Sequence, residues 1–214
     1  GAGAMTDIFQ VSIFLFLLQG LKITLEIAFA SIVGSLVLGT ALAVLRHRGG
    51  WPARLSAVYI EAVRNTPLLL FILAFRFMTP LPPVYAGIVA MTVFETATLA
   101  EIVRGGLKSI PKGQWEAART QGFSALQALR YIVLPQALRN VIPPLISQFT
   151  TIIKDTSFVW AVGIEDLTGK GMIVMGRYTT AAQVFTLFVV IAMLYFLLNY
   201  SISCYARWRQ AKMV

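Results

Sequence analysis

Eight ionisable side chains stand inside stretches that are otherwise apolar: Glu26, Glu61, Arg64, Arg76, Glu95, Glu101, Lys154 and Asp155. A charge within hydrocarbon costs about 2.5 to 3.5 kcal/mol on insertion scales, so each needs a partner or a role in binding or moving a polar ligand. Spacing offers partners to some of them. Glu61 and Arg64 are three residues apart and can pair on one helix face, and Glu101 and Arg104 repeat that arrangement. Arg76, Glu95 and Asp155 have no such pairing, because Lys154, the neighbour of Asp155, points elsewhere on a helix. Either these three groups face a polar pathway, or Arg76 and Glu95 form a structural pair between two helices.

Other chemistries are excluded by what the chain lacks. His47 is its only histidine and Cys204 its only cysteine, so a histidine-centred zinc site, a serine triad that uses histidine, a cysteine metal cluster and an internal disulfide are all out of reach. The segment from Gly163 to Lys170 approaches a phosphate loop. However, it has five residues between its glycines where the pattern has four, and Gly171 stands where Ser or Thr should follow the lysine, so no nucleotide is expected on this chain. The net charge of +9 comes from eighteen Lys and Arg scattered over short segments rather than gathered into a stripe, which argues against a nucleic-acid partner.

The elements that must position these groups are membrane helices. The 214 residues are 57% hydrophobic and 13% charged, against roughly 25% charged in soluble domains, and the mean hydropathy is +0.75. Several windows reach the ~20 apolar residues that cross hydrocarbon. Gly1-Ala2-Gly3-Ala4 before Met5 reads as a vector remnant, leaving residues 5–214 as a single transmembrane domain. Residues 8–18 are too short to cross and are expected to form an interfacial approach. Five spans follow, at about 21–45, 55–78, 84–106, 137–163 and 182–203, so the fold class is all-α, a five-helix membrane bundle. In the first span Ser31, Ser35, Gly39 and Ala43 line one face with small side chains that admit a neighbouring helix. Asn65-Thr66-Pro67 interrupts the second, and the fourth contains Pro143-Pro144 and the polar run from Lys154 to Ser157.

Five spans put the chain ends on opposite sides, and basic residues decide which is which. Arg46, Arg48, Arg54, Lys108, Lys112, Arg119, Arg130, Arg207, Arg209 and Lys212 fall on one side, against Lys170 and Arg177 in the loops of the other. The N-terminus is therefore expected outside, and the C-terminus and the segment 107–135 in the cytoplasm. That segment contains "PKGQWEAARTQGFSALQALRYIVLP", a charged stretch between two spans. Glu116 to Arg119 reads as a short helix ended by Gly122 in the left-handed conformation, with a second helix running from Ser124 to Leu134 and halting at Pro135. Such a helix pair is either a docking element for a soluble partner or a solvated loop.

The pattern Glu-Ala-Ala, three residues, Gly, nine residues, Ile-x-Leu-Pro in "EAARTQGFSALQALRYIVLP" resembles the permease subunits of ABC importers. The blocks "QGLKITLEIAFASIVGSLVLGTALAVLR", "YIEAVRNTPLLLFILAF", "AEIVRGGLKSIPKGQWEAA", "LPQALRNVIPPLISQF" and "IKDTSFVWAVG" extend the resemblance from Gln19 onward, toward the polar amino acid uptake branch. The resemblance implies the type I importer transmembrane domain, in a bacterial inner membrane. It also implies a second identical or similar permease, two ATPase subunits that hold the ATP and magnesium, and a substrate-binding protein. Glu116, Ala117, Ala118, Arg119 and Gly122 would form the ATPase coupling helix, and the chain itself would be non-catalytic.

An amino acid zwitterion needs an acceptor for its ammonium and a donor for its carboxylate. Asp155, Thr156 and Ser157, with Gln148 seven residues earlier, can supply that lining, and Thr98 lies one turn from Glu95. The expected substrate-binding residues are Asp155, Ser157, Glu95, Thr98, Gln148, Arg76 and Thr156. Two places depart from the family pattern: "FETATLAE" carries Glu95 where a small residue and an aromatic are usual, and "FILAFRFM" carries Arg76 where an uncharged residue is usual. Facing the pathway, Glu95 would favour a cationic cargo and Arg76 an anionic one, so the cargo stays open. The rival readings are a secondary amino acid transporter, which calls for an inverted repeat and more spans, and a non-transporting membrane scaffold, which leaves the broken helices and buried charges without a purpose.

Overall fold

The computed structural model describes residues 6–212, and every regular element among them is helical. Gly1 to Ala4, read above as a vector remnant, lie outside the described residues. A short 3₁₀ turn, Thr6–Phe9, precedes α1, Val11–Arg48. There follow α2 (Gly50–Arg64), α3 (Leu68–Met78), α4 (Pro83–Lys108), α5 (Lys112–Thr120) and α6 (Ala125–Ala128). A π-helical turn, Leu129–Val133, leads into α7 (Leu134–Asn140), and α8 (Ile142–Asp155) passes into a 3₁₀ segment, Thr156–Val162. The last elements are α9 (Leu167–Met175) and α10 (Ala181–Lys212).

Three of these helices, α1, α4 and α10, are long and apolar enough to cross a membrane, and α2 with α3 makes a fourth if the broken pair counts as one span. The expected five spans are therefore not five continuous helices. The approach over residues 8–18 is no element of its own but mostly the first turns of α1, which runs unbroken for 38 residues. Gly20 inside it is tolerated because the helix must pass close to another segment there, as described below. The span expected at 137–163 is divided among α7, α8 and the 3₁₀ segment. Proline has no N–H to donate and fits the first turn of a helix, so a new helix starts at Ile142 just ahead of Pro143 and Pro144. At its far end Gly163 adopts φ 81°, the left-handed region, and closes the 3₁₀ segment. The break expected at Asn65-Thr66-Pro67 separates α2 from α3.

The chain divides into two compact units. The first holds residues up to 32, 68–91 and 150–214. Its core joins Ile13 and Leu17 of α1 to Leu167 and Val174 of α9 and Leu187 and Ile191 of α10. Two glycines set the spacing: a Cβ on Gly20 would lie 2.7 Å from the Asp166 carbonyl oxygen, and one on Gly171 2.3 Å from Cδ1 of Ile191. Helix α3 packs against the 3₁₀ segment in the same unit.

The second unit holds residues 33–67 and 92–149. The small-residue face of α1 does what its spacing predicts. A Cβ on Gly39 would stand 3.0 Å from the backbone nitrogen of Ala100 on α4, and Ala43 is buried against Val103 and Leu107. Gly106 brings α4 against α7, its Cβ position lying 2.4 Å from Val141 and 2.7 Å from the Ala137 carbonyl oxygen. Backbones this close leave no room for a side chain, which is how small residues bind membrane helices together.

Candidate functional site

The charged segment folds as two helical pieces around one sharp turn. Helix α5 ends at Thr120; the N–H of Phe123 donates to the Ala118 carbonyl (3.0 Å) and that of Gly122 to the Arg119 carbonyl (3.0 Å). This double bond pattern closes a helix with a left-handed residue, and Gly122 takes φ 87° to supply it. Ser124 then caps α6 in a reciprocal box: the Gln127 N–H donates to the Ser124 hydroxyl at 3.2 Å, and the Ser124 N–H to the Gln127 side chain at 2.9 Å. The helix expected to halt at Pro135 does not halt. The π-helical turn precedes it and Pro135 falls in the first turn of α7, where a missing N–H breaks no helical bond, so the chain stays helical to Asn140.

The residues expected to form one coupling surface are spread around α5. Ala118 is buried, and Gln114, four residues before it, accepts a hydrogen bond from Gln136 of α7 at 3.1 Å, so this side faces the body of the unit. Glu116, Ala117 and Arg119 are exposed. Trp115 is half-buried and stacks on His47 at the end of α1, with ring centroids 5.6 Å apart and planes 15° apart. Further from α5, Asn140 donates to the Ser109 hydroxyl at 3.1 Å.

Above this segment a single carboxylate gathers three arginines. Glu101 of α4 accepts from Arg46 of α1 at 2.5 Å and from Arg104 at 3.0 and 3.1 Å, and Arg64 of α2 lies 3.8 Å away. The local Glu101–Arg104 pair expected from spacing is present. Arg64, however, turns to Glu101 rather than to Glu61, which is exposed. No spacing rule finds a partner 55 residues distant, so the sequence marks Arg46 as a flanking basic residue but not as a partner of Glu101.

The residues expected to contact substrate fall in both units. In the second unit Glu95 is fully buried and its carboxylate accepts a hydrogen bond from the Gln148 side chain of α8 at 2.8 Å; Thr98 is partly buried one turn along α4. In the first unit, Thr156 is buried with its hydroxyl turned onto the Ile153 carbonyl at 2.6 Å, so it does not present a polar lining. Asp155 and Ser157 flank it and are partly buried, where the helix tightens to 3₁₀. Arg76 is half-buried on α3, with its Nε buried and unbonded.

A polar cluster in the first unit went unnoticed as a cluster, because its members look like loop residues. Asp166 caps α9, accepting from the Gly169 N–H at 2.8 Å, and is fully buried. Thr24 of α1 accepts from the Leu167 N–H at 3.0 Å, and Thr168 shares a 2.8 Å hydrogen bond with Tyr195 of α10. Burial pushes the Asp166 carboxyl up to about 7, while the Gly169 and Thr168 N–H groups and the Tyr195 hydroxyl pull the other way. Lys170, the lysine of the near-miss phosphate loop, is buried, bonded to Glu165 at 2.8 Å and placed 4.4 Å over the Phe16 ring. It is a structural lysine, committed to this unit.

The family described as "Binding-protein-dependent transport system inner membrane component" matches residues 35–214, which include the whole charged segment. The chain belongs to this family. It is thus a binding-protein-dependent permease subunit with several membrane-crossing helices, as the sequence implied. Among relatives of this permease is the "Probable glutamine ABC transporter permease protein GlnP" of Bacillus subtilis (strain 168). It is 42% identical over 198 residues, covering 90% of this chain and 91% of that protein. The "Glutamine transport system permease protein GlnP" of Escherichia coli (strain K12) is 32% identical over 205 residues, covering 92% of each. Among solved structures, a chain from the "Crystal structure of an amino acid ABC transporter with histidines" superposes with a TM-score of 0.83 at 28% identity, over 94% of this permease and 96% of that chain.

Proposed function

We propose that this permease is the transmembrane subunit of an ATP-driven importer of polar amino acids, and that it holds no nucleotide itself. The observation that carries this reading is α5, a nine-residue helix with Glu116, Ala117 and Arg119 exposed and its C-terminal turn fixed by Gly122. A rigid helix anchored through Ala118 and Gln114 on one side and open on another can transmit a push from a soluble partner into α4 and α7. Two ATPase subunits, which hold ATP and magnesium, would seat on it. A second permease, identical or similar, and a substrate-binding protein would complete the assembly. The N-terminus would lie outside and the C-terminus in the cytoplasm, following the basic residues.

For the cargo, the names of the relatives favour glutamine and its polar neighbours. The buried Glu95–Gln148 pair supports the same choice: a carboxylate that already accepts from an amide is poorly placed to select a cationic side chain. Asp155, Ser157 and Arg76 are the groups we assign to the cargo's charged ends. The test is the ATPase rate of the complex, reconstituted with its ATPase and binding protein, over a panel of neutral, anionic and cationic amino acids. Stimulation confined to polar amino acids, strongest with glutamine, is the expected result. A rate that no amino acid changes would overturn the cargo assignment.

A further inference from the structure

Within the second unit, helix α5 is joined to its neighbours in two different ways. Residues 109–111 tie it to α4, and the chain through α6 and the π-helical turn ties it to α7, where Gln136 also donates to Gln114. These neighbours follow α5 through the backbone. The end of α1 is remote in sequence and meets α5 through side chains. Trp115 stacks on His47, and it packs against the core that joins Ala43 of α1 to Val103 and Leu107 of α4 and to Ala137 of α7. Trp115 stands one helical turn before the buried Ala118, so its ring turns inward while Glu116, Ala117 and Arg119 stay open to a soluble partner.

At the end of α1, adjacent residues go to different helices. Arg46 donates to Glu101 of α4 in a charge-assisted contact, and His47, the next residue, goes to α5. Gly49 and Gly50 follow with φ 80° each, the left-handed region that glycine takes without strain, and interrupt the helix between α1 and α2. The last turn of α1 is therefore pinned to α4 at one residue, attached to α5 at the next, and released from α2 by the two glycines. A displacement of α5 relative to α4 turns this end about Arg46 without carrying α2 along. We propose that the His47–Trp115 stack is the joint through which movement of α5 is passed to α1, which makes His47 a positioning residue for coupling. Helices α4 and α7 receive the push along the chain, and α1 receives it across this stack. An offset ring pair can shift a two-state equilibrium about threefold to tenfold, so losing it lets the transmission slip without unfolding the unit. This inference rests on the coupling role proposed for α5.

The test uses the complex assembled with its ATPase and binding protein in proteoliposomes, and reads ATP hydrolysed and labelled glutamine taken up in the same vesicles. His47→Ala is expected to keep the rate of hydrolysis and the amount of bound ATPase within about twofold, while uptake per ATP falls about threefold to tenfold. A merely structural role would lower all three together. His47→Phe keeps a flat ring and should restore uptake per ATP to within about twofold of the unaltered chain. Trp115→Leu removes the other ring, and combined with His47→Ala it should cost no more than the worse single variant, since both changes break one contact. Uptake per ATP unchanged by His47→Ala, no rescue by His47→Phe, or losses that multiply in the double variant each overturn the proposal. Weaker retention of the ATPase subunits by His47→Ala would make His47 part of their seat and overturn it as well. If Ala117→Trp abolishes uptake while His47→Ala leaves it whole, the joint alone is wrong; if neither variant changes uptake, the coupling role of α5 fails with it.

Discussion

Glu101 illustrates why single residues in this permease are worth more than their local spacing implies. One carboxylate holds Arg46, Arg104 and, more loosely, Arg64, so removing it leaves three guanidinium groups crowded together. Glu101→Gln is expected to cost about 2 kcal/mol or more, and Arg64→Gln under about 0.5 kcal/mol because that pair is long and half-exposed; thermal unfolding in detergent measures both. Asp166 yields a pH dependence. Its folded value of about 7 exceeds the ordinary carboxyl value of 3.8, so the folded state binds the extra proton between these limits. Stability contributed by Asp166 is thus greatest at acid pH, falls as pH rises from about 4 to about 7, and is level above that. Asp166→Asn keeps an oxygen to cap α9 and should flatten this slope in melting curves recorded between pH 5 and pH 8. An unchanged slope would assign it to other groups. Of these residues the sequence showed the charge but seldom the partner. Glu101–Arg104 was legible because three residues make one helical turn, while Arg46, Gln148 and Thr24 act across gaps that no periodicity encodes.

At the level of elements, glycines and prolines carried most of the legible information. Gly122 ends α5 as expected, and the strip of Ser35, Gly39 and Ala43 is buried against its neighbours. Gly106 is a sharper case, since a methyl group there would meet Val141 and the Ala137 carbonyl. Gly106→Ala should cost about 1 to 3 kcal/mol and loosen α4 from α7, seen as a lower melting temperature and faster proteolysis within residues 107–135. Gly122→Ala is milder, about 1 kcal/mol of strain at φ 87°, and its signature is weakened cargo stimulation of the ATPase with unchanged membrane insertion. Prolines are less uniform: Pro67 lies in the break between α2 and α3 as expected, while Pro135 does not end its helix. A proline after an apolar run reads as a stop, yet Pro135 stands in the first turn of α7, as Pro143 and Pro144 stand in that of α8, where the residue costs little. Apolar length alone cannot tell a continuous span from several short helices set end to end, and so the count of five exceeded the long helices present.

For the whole molecule, the all-α membrane fold and the family were legible because composition and a many-part motif both act along the chain. The side-chain partners of the polar groups were not. Thr156 and Glu95 looked like pathway residues by their polarity, yet each is buried with a partner of its own. The central claim is that a partner's ATP hydrolysis drives this permease through α5. Uptake of labelled glutamine by proteoliposomes containing the full complex, comparing the unaltered chain with Ala117→Trp, tests it most directly, because a bulky ring on the open face of α5 blocks seating without disturbing the buried Ala118 face. The account predicts that ATP-dependent uptake falls at least tenfold while the variant inserts and melts as the unaltered chain does. Undiminished uptake by Ala117→Trp would contradict it.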